Sequence, residues 1–211
     1  MRRRAHADPA RSEMNGQVSQ PSWRNRLNMA IYAPAGAGVI ALQAVILLAM
    51  GLPLICACGN IDFWHGNPSG PETSQHLTDW YTYTHVIHGF GFYLLLWLIL
   101  PNTSFGLRLA LAIGLEGGWE IVENTPFVMD RYRQSALARG YMGDSVVNSV
   151  FDTLATIVGF IFARIAPVWA SIAMVVLIEL ILGYMIRDGL TLNVIQLIYP
   201  SETISTWQSG G

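Results

Sequence analysis

From position 27 to position 61 this 211-residue chain carries no charged residue at all. A helix needs about 20 apolar residues, each rising ~1.5 Å, to cross a bilayer. One uncharged stretch of that length already favours a membrane helix over a soluble fold. The rest of the chain agrees. Charged residues make up 12% of it, about half of the roughly 25% usual in soluble domains. Every basic residue is an arginine, hydrophobic residues reach 52%, and mean hydropathy is +0.38. So little charge cannot cover a soluble surface, and so much apolar content excludes disorder of the whole chain. A net charge of −2 and the lack of a lysine-rich face argue against nucleic acid as a partner. What remains is an all-α fold, an integral membrane helical bundle.

The spacing of polar breaks predicts about five spans, over 36–57, 85–100, 105–123, 145–166 and 168–186. Pro101 and Pro167 close two of them, since proline cannot continue a helix. Residues 1–26 read as a disordered cytoplasmic tail, 27–188 as the transmembrane bundle, and 189–211 as a periplasmic or interfacial tail. Within that last segment, 190–199 is apolar but too short to span. A secretory signal is a poor fit, because the apolar run begins far behind the first arginines and is too long. Residues 59–78 form a polar loop, and Trp80, Tyr81 and Tyr83 form an interfacial aromatic belt. Five spans with the N-terminus inside place eight arginines (2, 3, 4, 11, 24, 26, 108 and 164) on the cytoplasmic side. Four (131, 133, 139 and 187) then fall outside. That bias is the one expected of an inner-membrane protein with a cytoplasmic N-terminus.

Against this apolar background the ionisable residues at membrane depth stand out. Each costs roughly 2.5–3.5 kcal/mol at the centre of a span and usually marks function. His85 and His88 are i, i+3 neighbours on one helix face. Glu116, Glu120 and Glu123 follow at spacings that form a single stripe. Asp144, Asn148 and Asp152 make a third, i, i+4 stripe, although Asp144 would serve equally as a helix cap. With antiparallel neighbours, all three stripes fall in the same leaflet whichever way the protein is inserted. Glu179 joins this group or pairs with Arg164; the spacing does not decide between them.

Three readings of the cluster stand side by side. Imidazole and carboxylate ligands one turn apart suit a divalent metal such as Zn, Mn or Fe, with His85, His88 and Glu120 as ligands. Crowded carboxylates also share protons without any metal and can do acid–base work or bind substrate. A purely structural polar network is the third. Glu120, Glu123, Asp144 and Asp152 are the candidate catalytic groups. Arg131 and Arg133, in the loop above, read either as headgroup-contacting surface or, with Asn148, as a substrate-binding lid, because arginine grips phosphate bidentately. Cys56 and Cys58 read as two small apolar residues at a helix end. A bridge across one residue is awkward, and a metal role calls for further thiolates that the chain lacks.

The runs His85-Val86-Ile87-His88-Gly89, Trp119-Glu120-Ile121-Val122-Glu123-Asn124 and 143–152 (GDSVVNSVFD) resemble a family of small alphaproteobacterial inner-membrane proteins, the domain of unknown function 2585. More distantly the pattern is similar to the VanZ-like group. The resemblance covers nearly all of the chain beyond the N-terminal tail. It implies a multi-pass inner-membrane protein in which the three motifs belong to one site. The function expected is metal-assisted or acid–base chemistry on a lipid or lipid-linked headgroup, with membrane lipids as partners. The alternative is a non-catalytic assembly factor that binds a membrane-protein partner and uses the network structurally.

Overall fold

The computed structural model describes residues 22–135 and 137–210, so most of the N-terminal tail read from the sequence lies outside the described residues. Eight α-helices are described. They are α1 (Ser22–Ala49), α2 (Thr82–Ile99), α3 (Phe105–Glu123), α4 (Pro126–Tyr132), α5 (Val146–Ile165), α6 (Val168–Met185), α7 (Leu190–Ile198) and α8 (Glu202–Gln208). A short 3₁₀ turn over Ala138–Gly140 separates α4 from α5. No strand occurs among the described residues, and the chain is an all-helical membrane bundle.

Four segments are long and apolar enough to cross a membrane: Ala30–Ala49, Thr82–Ile99, Val146–Ile165 and Val168–Met185. Helix α3 matches them in length, at 19 residues, but carries Arg108, Glu116, Glu120 and Glu123.

Local chemistry sets most helix ends. Ser104 and Ser145 are extended residues whose hydroxyls accept from Leu107 and Asn148 N–H, capping α3 and α5. The cap of α5 is therefore Ser145, and Asp144 is left for another use. Helix α1 ends at Ala49, eight residues short of the sequence-based limit at 57. Gly51 turns the chain at φ 90°, a conformation that disfavours any residue with a Cβ. Pro53, just beyond, cannot continue a helix. At its other end α1 is described from Ser22, so residues 22–26 are helix rather than tail.

Helices α2 and α5 make the closest crossing. A Cβ on Gly89 would stand 2.2 Å from the Thr156 carbonyl oxygen, and one on Gly159 would stand 2.1 Å from that of Val86. Backbone meets backbone there, as small residues permit between membrane helices. Gln43 bolts α1 to α5: its Nε2 donates to Ser149 O at 3.1 Å, and Thr153 Oγ1 donates to its Oε1 at 2.9 Å. Apolar packing fills the far end through Leu96, Ala112 and Phe160. Helix α6 is peripheral, burying only Ile178 and Leu182, which meet Ile87 and Ile186.

The C-terminal segment, read as a tail, folds as α7 and α8. Glu179 explains the start of α7. Its two carboxylate oxygens accept from Leu190 N–H (2.8 Å) and Thr191 N–H (3.1 Å), so it serves as a remote cap and neither joins the cluster nor pairs with Arg164.

Candidate functional site

The close α2–α5 crossing, with α3 alongside, brings the three sequence stripes together. His85 is the hub. Its Nδ1 lies 2.5 Å from Glu116 Oε1 and 3.3 Å from Glu120 Oε1, and its Nε2 lies 3.8 Å from Asp152 Oδ2. His88 Nδ1 meets Glu116 Oε2 at 3.1 Å. One carboxylate thus bridges both imidazoles, whose rings meet edge to face 5.0 Å apart. Glu116 and Glu120 are fully buried, and His85 and Asp152 nearly so.

Two sets of ligand atoms lie within 4.8 Å of one another: His85, His88 and Glu116; and His85, Glu120 and Glu123. Both sets can hold a divalent metal, and both use His85. The donor chemistry fits. Glu120 has neither oxygen hydrogen-bonded, and Glu123 Oε2 and Asp152 Oδ1 are likewise buried without a partner. Buried carboxylate oxygens are normally paired. Here five carboxylates (116, 120, 123, 144 and 152) surround two imidazoles. Among the described residues, no arginine lines the cavity beside them, and the chain has no lysine. Protons or a metal cation must supply the missing positive charge.

Asp144 is held differently. It accepts from Asn124 Nδ2 at 2.7 Å and Tyr141 Oη at 2.8 Å, while its own N–H donates to Asn124 Oδ1 at 2.8 Å. Burial pushes its carboxyl above the usual range, and those two donors pull it back. The same burial, with Asp144 and Glu123 nearby, raises the phenols of Tyr141 and Tyr132.

Part of this cluster lines a cavity of about 500 Å³, with Glu116 and Glu120 buried behind it. Its polar floor includes His85, His88, Glu123, Asp144 and Asp152. Its apolar wall comprises Phe92 on α2, a stripe of Leu115, Trp119 and Val122 on α3, and Leu190, Val194 and Leu197 on α7. Leu115 and Val122 are also among the exposed apolar residues, so this wall continues onto the outer face of α3.

Four sequence candidates sit apart from the cavity lining. Glu120 is fully buried against His85. Asn148 is buried and donates through Nδ2 to His76 O at 2.9 Å, tying α5 to the first loop. Arg131 spends its guanidinium on the end of α7, donating to Leu197 O (2.8 Å) and Ile198 O (3.0 Å). Arg133 donates to Tyr141 O and pairs with Asp130. A helix C-terminus attracts cations, and α7 provides one directly above the loop. Neither arginine faces the polar floor.

Sequence reasoning missed Asn124, Tyr141, Tyr132 and α7. Asn124 had a legible signal, since it stands four residues after Glu120 on the same stripe. Cys56 and Cys58 need correction too. They lie beyond the end of α1 and form a disulfide, with Cα atoms 5.1 Å apart, within the bridging range.

The family model described as "Protein of unknown function (DUF2585)" matches residues 47–210. A UPF0314 protein of Paracoccus denitrificans is 50% identical over 171 residues, 81% of this chain and 89% of the relative. One from Sphingopyxis alaskensis is 44% identical over 198 residues, 94% of this chain and all of the relative. Another, from Agrobacterium fabrum, is 46% identical over 173 residues, 82% of this chain and 87% of the relative. No solved structure matches. The family match runs from the end of α1 through every element that builds the polar floor and the cavity wall, and on that extent the chain belongs to the DUF2585 family.

Proposed function

We propose that this protein is a multi-pass inner-membrane enzyme acting on a lipid or lipid-linked headgroup at the periplasmic face, by metal-assisted or acid–base chemistry. The observation that carries this reading is the set of buried, unpartnered carboxylate oxygens on Glu120, Glu123 and Asp152, beside a cavity with a polar floor and an apolar wall. A structural network would satisfy those oxygens from within. The paired floor and wall suit an amphiphile. A headgroup would meet the ionisable residues while a chain lies along Leu115, Trp119 and Phe92.

His85, His88 and Glu116, or His85, Glu120 and Glu123, would hold the metal as Zn, Mn or Fe. Such an ion supplies Lewis acidity toward a phosphate or ester oxygen. The chain's own residues supply the rest. His88 reaches into the cavity, and Glu116 fixes its ring through Nδ1, leaving Nε2 to exchange a proton with substrate. Asp152 and Glu123 present free oxygens as proton acceptors. Asp144 is locked by Asn124 and Tyr141, and it would position the headgroup. Arg131 holds α7, and with it one side of the cavity wall, in place. The arginine bias of eight to four supports a cytoplasmic N-terminus, with α3 as a fifth span.

Elemental analysis of the purified protein, followed by comparison of membrane lipids in strains carrying wild type, Glu120→Gln or no copy, tests the proposal. Expected are bound metal in wild type and a lipid difference that Glu120→Gln fails to restore. Wild type that neither holds metal nor responds to added Zn, Mn or Fe would remove the metal arm. A Glu120→Gln strain with a normal lipid profile would remove the enzyme reading altogether.

A further inference from the structure

A second cluster of metal-ligating side chains lies in the first loop, outside the cavity lining. One ligand atom from each of Cys56, Cys58, Glu72 and His76 lies within 4.8 Å of the other three. We propose that, once the Cys56–Cys58 bond is reduced, these four residues bind one zinc ion.

Two thiolates, an imidazole and a carboxylate complete a four-coordinate zinc set. The sequence alone hides it, because the second pair of ligands comes from the far end of the loop rather than from further cysteines. Cys56 and His76 are almost fully buried, while Cys58 and Glu72 face solvent. The inner half of the set is therefore fixed and the outer half lies open to an arriving ion. Stacking on His65 at 5.0 Å holds the His76 ring, and its Nε2 stands 3.3 Å from Glu72 Oε2. At present His76 Nδ1 accepts from Asp62 N–H at 3.1 Å, so the neutral ring carries its proton on Nε2. Zinc would take Nε2 and the ring proton would move to Nδ1, which would give up the Asp62 N–H bond and donate instead to Asp62 Oδ2, now 3.8 Å away. Carboxylate–histidine–zinc pairing of this kind is common.

The chemistry balances. A dithiol or phosphine reductant donates two electrons and is itself oxidised. The S–S bond breaks, two protons are taken up, and two thiols form. Zinc then displaces both thiol protons to solvent. Disulfide and zinc site use the same sulfurs, so they exclude each other. The ligands bracket a loop that matters elsewhere. Thr73 and Ser74 line the cavity, and the carbonyls of Ser74, Gln75 and His76 accept from the first turn of α5.

The test uses the full chain in detergent micelles with cobalt(II) as the probe. After phosphine reduction, cobalt added beyond two equivalents, enough to fill a metal site in the main cavity as well, should raise a near-ultraviolet thiolate-to-cobalt band that added zinc bleaches. The unreduced protein should show none. No described residue lining the main cavity carries sulfur, so this band reports on the loop site and stands or falls independently of the function proposed above. His76→Asn should raise the cobalt Kd about tenfold or more, and Cys58→Ser should remove most of the band. Reduced wild type without the band overturns the proposal, as does an unchanged Kd in folded His76→Asn. Should His76→Asn fail to fold, solvent-facing Glu72→Gln takes its place, and an unchanged Kd there overturns the four-ligand site.

Discussion

Two kinds of buried acid lie close together in the fold of this molecule. Asp79 and Asp188 have every oxygen occupied. Asp79 accepts from the N–H groups of Ser74, Tyr81 and Thr82. Asp188 accepts from Gly189 N–H, Tyr81 Oη and Gln208 Nε2. Glu120, equally buried, has neither oxygen hydrogen-bonded. Both kinds face the same desolvation cost, yet only the first offsets it from within the fold. A structural acid is known by its donors, and an acid kept for chemistry by their absence. Tyr81 shows how closely the two sets are interleaved, because it lines the cavity while its hydroxyl serves Asp188.

The sharpest way to break the comparison is Glu120→Gln. If Glu120 is kept for chemistry, the variant should lose roughly 10²-fold or more of the activity while its thermal midpoint in detergent stays level or rises, since a buried acid without a hydrogen-bond partner is removed. A large fall in midpoint with the lipid profile intact would instead place Glu120 among the structural acids.

The next effect strikes both sets at once. Gly89→Ala drives a methyl into the Thr156 carbonyl and the Phe160 amide, both backbone atoms. Overpacking of this kind typically costs about 1–3 kcal/mol and more when nothing can yield, so a loss of roughly 3 kcal/mol or more is expected. Gly114→Ala, also mid-helix but with nothing within 4 Å, is the control and should leave the midpoint level or raise it slightly. Equal behaviour of the two variants in thermal unfolding would deny that the α2–α5 crossing positions the site.

Asp79→Ala follows. It leaves three backbone donors without their acceptor, at about 1–3 kcal/mol for each buried group left unpaired, partly relieved by water entering the loop. A net loss of about 2 kcal/mol is expected, with metal content preserved. Metal lost in step with stability would merge the two classes of acid.

How much of this was legible beforehand follows from the range of the contacts. The apolar runs were readable because each must fill a span by itself. The convergence of His85, Glu116, Glu120 and Asp152 was readable because helical spacing is local and antiparallel packing aligns the ends. The first loop was not. Its Ser74, Gln75 and His76 are buried by main-chain and side-chain bonds to α5, some 70 residues away, and no periodicity records such bonds. Arg131 and Arg133 misled for a related reason. Arginines in a polar loop can meet a phosphate or a helix C-terminus, and the short apolar stretch at 190–199 gave no hint that it would fold over them as α7. Spacing alone argues against bridging the cysteine pair, whereas beyond the end of α1 the two Cα atoms stand 5.1 Å apart and the sulfurs are joined.

The smallest effect concerns pH. Burial raises the Asp188 carboxyl to about 6, from an ordinary value of 3.8, even though Gly189, Tyr81 and Gln208 pull it down. The folded state therefore holds this proton more tightly than the unfolded chain does. The stability it contributes is complete below pH ~4 and is lost as pH rises through about 6. Between pH 5 and 7 the loss should be about 1 kcal/mol. Asp188→Asn abolishes that slope, so the difference in midpoint between variant and wild type should change across this interval and stay flat above it. If Asp188→Asn leaves the pH dependence untouched, three donors suffice to keep a buried carboxylate charged in this loop. The line between the two kinds of acid would then rest on donors alone, with burial playing no separate part.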